Sequence, residues 1–258
     1  MKNTHPISTL LVTTASFACL GLGSIASAQS ITWGAATGIT GDANLVTSGT
    51  YFDALLTNSG SSVVSGGPLS VDGIQFNTAL TATDGLTVTD GVISFTVTSG
   101  SNNHYGFSSF SNPAASASFT ALMNSGGSYQ DGGAGAGTVT ISDLTIGHIY
   151  SVQVFNWADD GDAGLTTFSG SNSVTLSNLN GAGGAGTNGE FATGTFTATG
   201  STETFNWNGA GSGFTVLGPI SVQDLGEASV PEPSTYALMV SGCLLLLVLG
   251  QRRRQSQV

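Results

Sequence analysis

The stretch from Thr138 to Asn156 constrains the fold more than any other part of this 258-residue chain. In its second half, Tyr150, Val152 and Val154 alternate with small or polar residues. Successive side chains of a β-strand point to opposite faces, so this pattern predicts a strand with one buried face. A short turn separates it from a first apolar run, Thr138–Leu144, and we predict that the two runs pair as an antiparallel hairpin.

Similar short segments recur along the chain, and Val92–Thr98 is a clear example with its apolar residues on one face. A second hairpin is predicted from Phe191–Ala198 and Thr202–Trp207. Ala114–Met123 is the one helix predicted between the two terminal segments. Other strands are predicted at Ile31–Trp33, Tyr51–Leu56, Val71–Phe76, Phe214–Leu217 and Ile220–Leu225. Many short strands between Gly-rich turns predict an all-β fold, an antiparallel β-sandwich of the jelly-roll type.

The first residues are typical of a secretory signal peptide. Lys2 precedes an apolar run from Leu10 to Ile25, and Ala26 and Ala28 form a small-residue cleavage site. We predict cleavage before Gln29, which makes residues 1–28 the signal peptide and implies export.

The C-terminal end carries a second apolar run, Tyr236–Gly250, which has no polar face. As a helix it would be about 22 Å long, somewhat shorter than the roughly 30 Å hydrocarbon core of a bilayer. Arg252, Arg253 and Arg254 follow directly and favour a cytoplasmic end. The run therefore predicts a short single transmembrane helix, with everything before residue 230 outside the membrane.

Pro231, Glu232 and Pro233 precede this helix. The order of Pro-Glu-Pro, hydrophobic helix and arginine cluster over residues 230–254 resembles the PEP-CTERM sorting signal of Gram-negative, biofilm-forming bacteria. The resemblance implies an exosortase, a membrane protease of the transpeptidase type, as the partner that recognises Pro-Glu-Pro and processes the tail. The chain would then be held transiently at the inner membrane before reaching the cell surface or extracellular matrix. The alternative is a plain C-terminal anchor.

The body between these segments, residues 29–229, has an unusual composition. It contains no Lys or Arg and no cysteine, since Cys19 and Cys243 lie outside it. Of the 15 acidic residues in the chain only Glu232 lies in the tail. A disulfide, a thiol nucleophile and a salt bridge are therefore not expected in the body. The negative charge excludes nucleic acid as a partner, because phosphate neutralisation supplies most of that affinity.

Several segments of the body are similar to galactose-binding-like jelly rolls. They are Leu144–Gln153, Gly194–Ala198 and Ile220–Gln223. The opening stretch from Trp33 to Leu56 is similar to the first strands of extracellular proteins of planctomycetes and verrucomicrobia that share this pattern. The resemblance implies a β-sandwich, and members of that superfamily include carbohydrate-binding modules. A neutral extracellular polysaccharide is the ligand class that such a module, without cationic residues, would take.

Calcium is the one metal that the sequence suggests, and no other cofactor is expected. Asp159, Asp160 and Asp162 place hard oxygen ligands on a loop after a predicted strand, which suits Ca²⁺. Asp42 with Asn44 is a weaker second candidate. The alternative for both is a solvated acidic loop.

Three aromatic residues are candidates for sugar contact. Trp157 and Trp207 lie at the ends of predicted strands, and Tyr129 lies in a Gly-rich loop. Aromatic faces in such positions stack on sugar rings, and the alternative is packing in the core or at its rim.

Catalysis has little support in the sequence. Glu190 and Glu203 form the one carboxylate pair with the composition of a glycosidase site. His104 and His148 are expected to be structural or exposed, and no serine lies in a nucleophile-elbow motif. The leading prediction is a non-catalytic surface or matrix protein. A carbohydrate-binding module, with or without calcium, is the alternative, and a glycan-active hydrolase comes third.

Overall fold

The computed structural model describes residues 30–57, 68–78, 80–81, 86–99, 103–105, 110, 112, 114–130, 135–158, 164–178, 189–210, 215–229 and 239–243. The predicted signal peptide with its cleavage site at Ala26, Ala28 and Gln29 lies outside these residues. So do the Pro231–Pro233 element and the arginines at 252–254.

Strands dominate the described part of the chain. The strands, in chain order, are β1 (Thr32–Trp33), β2 (Thr37–Gly38), β3 (Thr50–Leu56), β4 (Leu69–Val71), β5 (Ile74–Thr78), β6 (Leu80–Thr81), β7 (Thr87–Thr89), β8 (Ile93–Ser99), β9 (Asn103–Tyr105), β10 (Gly127–Gln130), β11 (Ala136–Ile141), β12 (His148–Asn156), β13 (Leu165–Ser169), β14 (Ser173–Ser177), β15 (Glu190–Thr197), β16 (Glu203–Ala210), β17 (Thr215–Leu217) and β18 (Ile220–Glu227). A 3₁₀ turn spans Asp42–Asn44, and helix α1 spans Ala117–Asn124.

The strands form two large sheets. In the first sheet the order is β1-β15-β12-β18-β3-β5-β4, with β2 also paired to β15. In the second sheet the order is β14-β13-β16-β11-β8-β7-β6, and β17-β10-β9 form a small third sheet. Neighbouring strands are antiparallel except for β3 and β5, which are parallel. The predicted all-β class with antiparallel-rich sheets is confirmed.

The main core lies between the two large sheets. Val152 and Val154 of β12 share this core with Phe95 of β8 and Val139 of β11. Trp33 of β1 crosses the interface and meets Phe205 of β16 edge to face, with ring centroids 5.2 Å apart. The period-two alternation of each strand places its apolar residues here, so burial of this face holds the sandwich together.

A second core covers the other face of the first sheet, where α1 packs. Phe119 and Leu122 of α1 are fully buried with Phe76 of β5 and Phe155 of β12. Ser116 caps the helix by accepting a hydrogen bond from the Phe119 amide at 3.1 Å. Because both faces of the first sheet are covered, β12 is buried almost throughout.

The two hairpins predicted from the sequence are wrong. β11 and β12 lie in different sheets, since β11 pairs with β8 and β16 whereas β12 pairs with β15 and β18. β15 and β16 are likewise in opposite sheets. In both cases the connection crosses from one sheet to the other. The alternation identified the strands correctly. It does not distinguish two strands of one sheet from two strands of facing sheets, because in both cases the apolar faces point at the same core.

Other local predictions agree with the structure. The Val71–Phe76 segment is broken at a turn, with Asp72 and Gly73 at positive φ between β4 and β5. The predicted helix begins slightly later than expected, at Ala117. Among the described residues, no helix has the length and apolar character needed to cross a bilayer.

Candidate functional site

Trp157 and Trp207 are buried, which contradicts their predicted contact with sugar. Trp157 is 5% exposed and packs edge to face on Phe110, with ring centroids 5.2 Å apart. Trp207 is 1% exposed and stacks on Phe95 at 5.1 Å. A ring held between other side chains has no face free for a sugar, so both tryptophans are core residues.

The third aromatic candidate, Tyr129, lies in β10, where its backbone pairs with Val216 of β17 and Asn103 of β9. Its side chain is outside the described part of the structure, so its predicted sugar contact stays a prediction. Asp159, Asp160 and Asp162 also lie outside the described residues, and the calcium prediction there stays open. Within the described ranges no cluster of three or more His, Cys, Asp or Glu side chains is arranged to hold a metal.

Asp42 and Asn44 stabilise a turn by hydrogen bonding. Both Asp42 carboxylate oxygens accept from the Ser116 amide at 3.2 Å, which ties the turn to the start of α1. Asn44 Oδ1 accepts from the Gly41 amide at 3.0 Å. These oxygens are engaged by the protein itself, so the second calcium candidate has a structural explanation.

Glu190 and Glu203 are at opposite ends of the sandwich. Glu190 begins β15, whose eight residues end at Thr197, and Glu203 begins the next strand after a short connection. At about 3.3 Å per residue, β15 alone separates the two by roughly 23 Å, whereas glycosidase carboxylates lie about 5–10 Å apart. Glu190 accepts from the Ser177 amide at 2.7 Å. The predicted hydrolase pair is therefore wrong.

His148 contacts Asp224, and this contact is an ion pair whenever the imidazole is protonated, which corrects the expectation that the body can form no salt bridge. Its Nδ1 lies 2.9 Å from Asp224 Oδ2, and Asp224 Oδ1 accepts from the Gly226 amide at 2.8 Å. The pair joins the beginning of β12 to the end of β18. His148 is one of two possible cations evident in the sequence of the body, but only the pairing of β12 with β18 brings it to Asp224.

The structure reveals a carboxylate cluster that the sequence analysis missed. Asp53 of β3 is 4% exposed, and its Oδ1 accepts hydrogen bonds from the Ala54 amide at 2.8 Å and Asn77 Nδ2 at 2.7 Å. The Tyr51 hydroxyl is 3.3 Å from the same oxygen. Asp90, in the turn between β7 and β8, lies close enough for its carboxyl to hydrogen-bond with that of Asp53.

Burial raises the pKa of Asp53 to about 6, and the Asp90 charge adds to this rise. Burial also raises the pKa of Tyr51 to about 12, with the Asp53 charge as a second cause, so Tyr51 remains a neutral hydrogen-bond donor. Two strands away at the same end of the second sheet, where Ile141 of β11 pairs with both Ile93 and Glu203, burial alone raises the pKa of Glu203 to about 7. Asp53 and Glu203 are thus the described carboxyl groups whose pKa is raised towards the neutral range.

The outer face of the second sheet is mostly polar, although Leu165 of β13 is also exposed there. One row crosses six strands through their paired residues, and its members are Thr87, Thr96, Thr138, Asn206, Ser169 and Ser173. Neighbouring hydroxyls bond to one another, as in Thr140 with Thr204 at 3.1 Å and Thr167 with Thr175 at 2.8 Å. We call this surface the hydroxyl face. None of its described outward side chains is charged.

The spacing of the hydroxyl face follows from the sheet. Strands lie about 4.8 Å apart, so the six-strand row is about 24 Å long. Inward neighbours such as Phe205 and Val139 are buried in the core, which fixes the outward direction of the polar residues. The sequence contained this alternation, but only the strand order brings the six segments side by side.

The tail matches a known sorting signal. Residues 229–254 match the family model of the PEP-CTERM protein-sorting motif. The motif implies export, transient membrane association and sorting by an exosortase towards the cell surface, so this part of the sequence prediction is confirmed. No curated protein matches the chain.

Proposed function

We propose that the protein is a non-catalytic component of the cell surface or extracellular matrix of a Gram-negative bacterium, delivered there through its tail by an exosortase. The single observation that supports this best is the sorting motif over residues 229–254. The body supports it through its architecture, a two-sheet sandwich in whose cores Trp33, Trp157 and Trp207 are packed. A jelly-roll topology of the galactose-binding-like type belongs to the same proposal.

A non-catalytic role also agrees with the placement of the acidic residues. Glu190 and Glu203 are too far apart to act on one glycosidic bond, and Asp53 is buried between the sheets. His148 is held by Asp224. None of these described groups combines an exposed position with a partner that would activate a nucleophile.

The sorting step is tested by replacing Pro231, Glu232 and Pro233 with alanine in the producing organism. We expect the wild-type protein at the surface or in the medium and the triple variant retained in the inner membrane fraction. A matched control replaces Ser234 and Thr235 with alanine, which changes the same region but leaves Pro-Glu-Pro intact. Identical distributions of all three proteins would contradict exosortase-dependent sorting.

Binding of a neutral polysaccharide is the second candidate function, and the hydroxyl face favours it. This surface offers hydroxyl and amide groups that both donate and accept hydrogen bonds, as a neutral glycan does. Acidic polymers are disfavoured because the body has no Lys or Arg to neutralise them. Each exposed hydrogen bond contributes little by itself, so binding would depend on many contacts along an extended chain.

The test is a pull-down with neutral polysaccharides and with the secreted polysaccharide of the organism, with and without Ca²⁺. The double variant Thr138→Ala with Asn206→Ala is expected to lower the bound fraction severalfold. The control, Thr50→Ala with Ser70→Ala, removes exposed hydroxyls from the first sheet and should bind as the wild type does. Polysaccharide binding through the hydroxyl face would be refuted by saturable binding that the Thr138→Ala, Asn206→Ala double variant retains. It would also be refuted if the wild type bound no neutral glycan.

A further inference from the structure

Asp53 faces the interior of the sandwich because β3 is irregular. The register of β3 against β18 shifts so that Val222 pairs with Asp53 and Gln223 with Tyr51, leaving Phe52 as the extra residue. Val222 belongs to the core between the sheets, and residues paired across two strands share a face. Asp53 therefore points from the first sheet towards the second.

Asp90 meets it from the second sheet. Its Oδ1 accepts from the Val92 amide at 3.0 Å and the Ile93 amide at 2.9 Å, which fixes the carboxyl at the start of β8. The Oδ2 atoms of Asp53 and Asp90 are both buried and have no hydrogen-bond donor among the described residues. Each sheet therefore contributes one buried acceptor oxygen without a donor, and the two carboxyls lie within hydrogen-bonding reach of each other.

This arrangement needs a positive partner, and the body supplies none. It contains no Lys or Arg. Among the described residues, the titratable groups that act on Asp53 are Asp90 and Tyr51, and Tyr51 is a neutral donor whose hydroxyl is also 2.6 Å from the Gln75 carbonyl oxygen. An unpaired buried carboxylate is costly, and a second one beside it is worse.

A proton satisfies the two oxygens better than a metal ion does. Ca²⁺ takes about 6–8 oxygen ligands. Here the two Oδ1 atoms are already engaged by N–H groups, and only the two Oδ2 atoms are free. A single proton needs one donor oxygen and one acceptor oxygen, and the two unpartnered Oδ2 atoms can take these roles.

We propose that Asp53 and Asp90 share one proton between their Oδ2 atoms, and that this carboxyl pair is a pH-sensitive latch joining the two sheets. The protonated latch is closed, with a hydrogen bond from one carboxyl to the other. Loss of the proton leaves two buried negative charges close together, and the contact between β3 of the first sheet and the β7–β8 turn of the second is destabilised.

The direction of the pH dependence follows from the folded state. The pKa of Asp53 is raised from its ordinary value to about 6, so the folded protein holds a proton that the unfolded chain has released. The latch is therefore fully effective in acid, and its stabilisation is lost as the pH rises through about 6. An ordinary solvated carboxylate does not titrate in this range.

Asp53→Asn tests the latch in the exported protein, because the amide mimics the protonated acid. Its NH₂ group donates to Asp90 Oδ2, and its carbonyl oxygen keeps the Ala54 amide as a donor. Unfolding by urea is measured from pH 4 to pH 8. We expect the ratio of wild-type to variant unfolding constants to rise about 50-fold over this range, since the pKa rise corresponds to about two powers of ten. Asp72→Asn removes one exposed aspartate charge as a control and should follow the wild type.

Carboxyl ¹³C NMR of the wild-type protein provides a readout that needs no variant. We expect one carboxyl of the pair to titrate near pH 6. Titration of both Asp53 and Asp90 below pH 5, or a constant ratio of unfolding constants for Asp53→Asn, would overturn the proposal. Millimolar Ca²⁺ that stabilises the wild type at pH 8 but not Asp53→Asn would also overturn it, because the pair would then be a cation site.

Discussion

Gly137→Ala tests the strand order of the second sheet at its most crowded point. Gly137 of β11 lies between Val97 of β8 and Trp207 of β16. A Cβ at this position would be 2.0 Å from the Thr96 carbonyl oxygen and 2.6 Å from Trp207 Nε1. The carbonyl belongs to the backbone of a paired strand, so the contact cannot be relieved by a side-chain rotation alone.

The expected loss of stability follows from this crowding. Overpacking a tight core costs about 1–3 kcal/mol, and movement of a sheet backbone places this substitution at the upper end, about 3 kcal/mol. For a domain of about 200 residues, this corresponds to a decrease in Tm of roughly 6–12 °C. We expect this loss in urea denaturation monitored by far-ultraviolet circular dichroism. This signal reports the strands, whereas tryptophan fluorescence would also respond to the new contact with Trp207.

Gly200→Ala is the matched control. Its nearest heavy atom would be the Thr202 carbonyl oxygen at 3.9 Å, and its φ is not in the left-handed region. The same chemical change should therefore leave stability unchanged or raise it slightly. If Gly137→Ala unfolded like the wild type, β8 and β16 would not both flank β11, and the two-sheet arrangement would be wrong.

Three further predictions address the charged groups. Glu203→Gln should make the free energy of unfolding less dependent on pH between about pH 6 and pH 8. Burial raises the pKa of Glu203 to about 7, so in the wild type its stabilising protonated form is lost as the pH rises. Urea titrations that give parallel pH profiles for the variant and the wild type would contradict this. His148→Ala should lower the free energy of unfolding by about 1 kcal/mol through loss of the Asp224 contact, a magnitude typical of partly exposed pairs. An unchanged midpoint of urea unfolding would show that the contact contributes nothing to stability. Trypsin should leave the urea-unfolded body uncut, since Lys2 and Arg252–Arg254 are the only basic sites, and mass spectrometry of the digest would reveal any internal cleavage.

The strands were predictable from the sequence, but their partners were not. Tyr150, Val152 and Val154 share a face because side chains alternate along any strand, and this local rule requires no knowledge of the neighbours. Pairing is a long-range property. The short connection after β11 suggested a hairpin, yet it carries the chain across the core to the other sheet.

The candidate sites show the same division. The sorting motif is contiguous in sequence, so residues 229–254 were recognisable without a structure. Their positions at strand ends suggest that Trp157 and Trp207 lie at the surface, but such a position does not reveal that Phe110 and Phe95 pack against their rings. Asp53 and Asp90 are distant in sequence and belong to different sheets, so no local pattern indicates that they meet.

The most direct test of the central claim is the intact mass of the protein recovered from the cell surface or the medium. We expect a chain that begins at Gln29 and lacks the hydrophobic stretch and arginines from Leu244 to Arg254. A mass that still includes these residues would contradict exosortase processing and would indicate permanent anchoring by the tail.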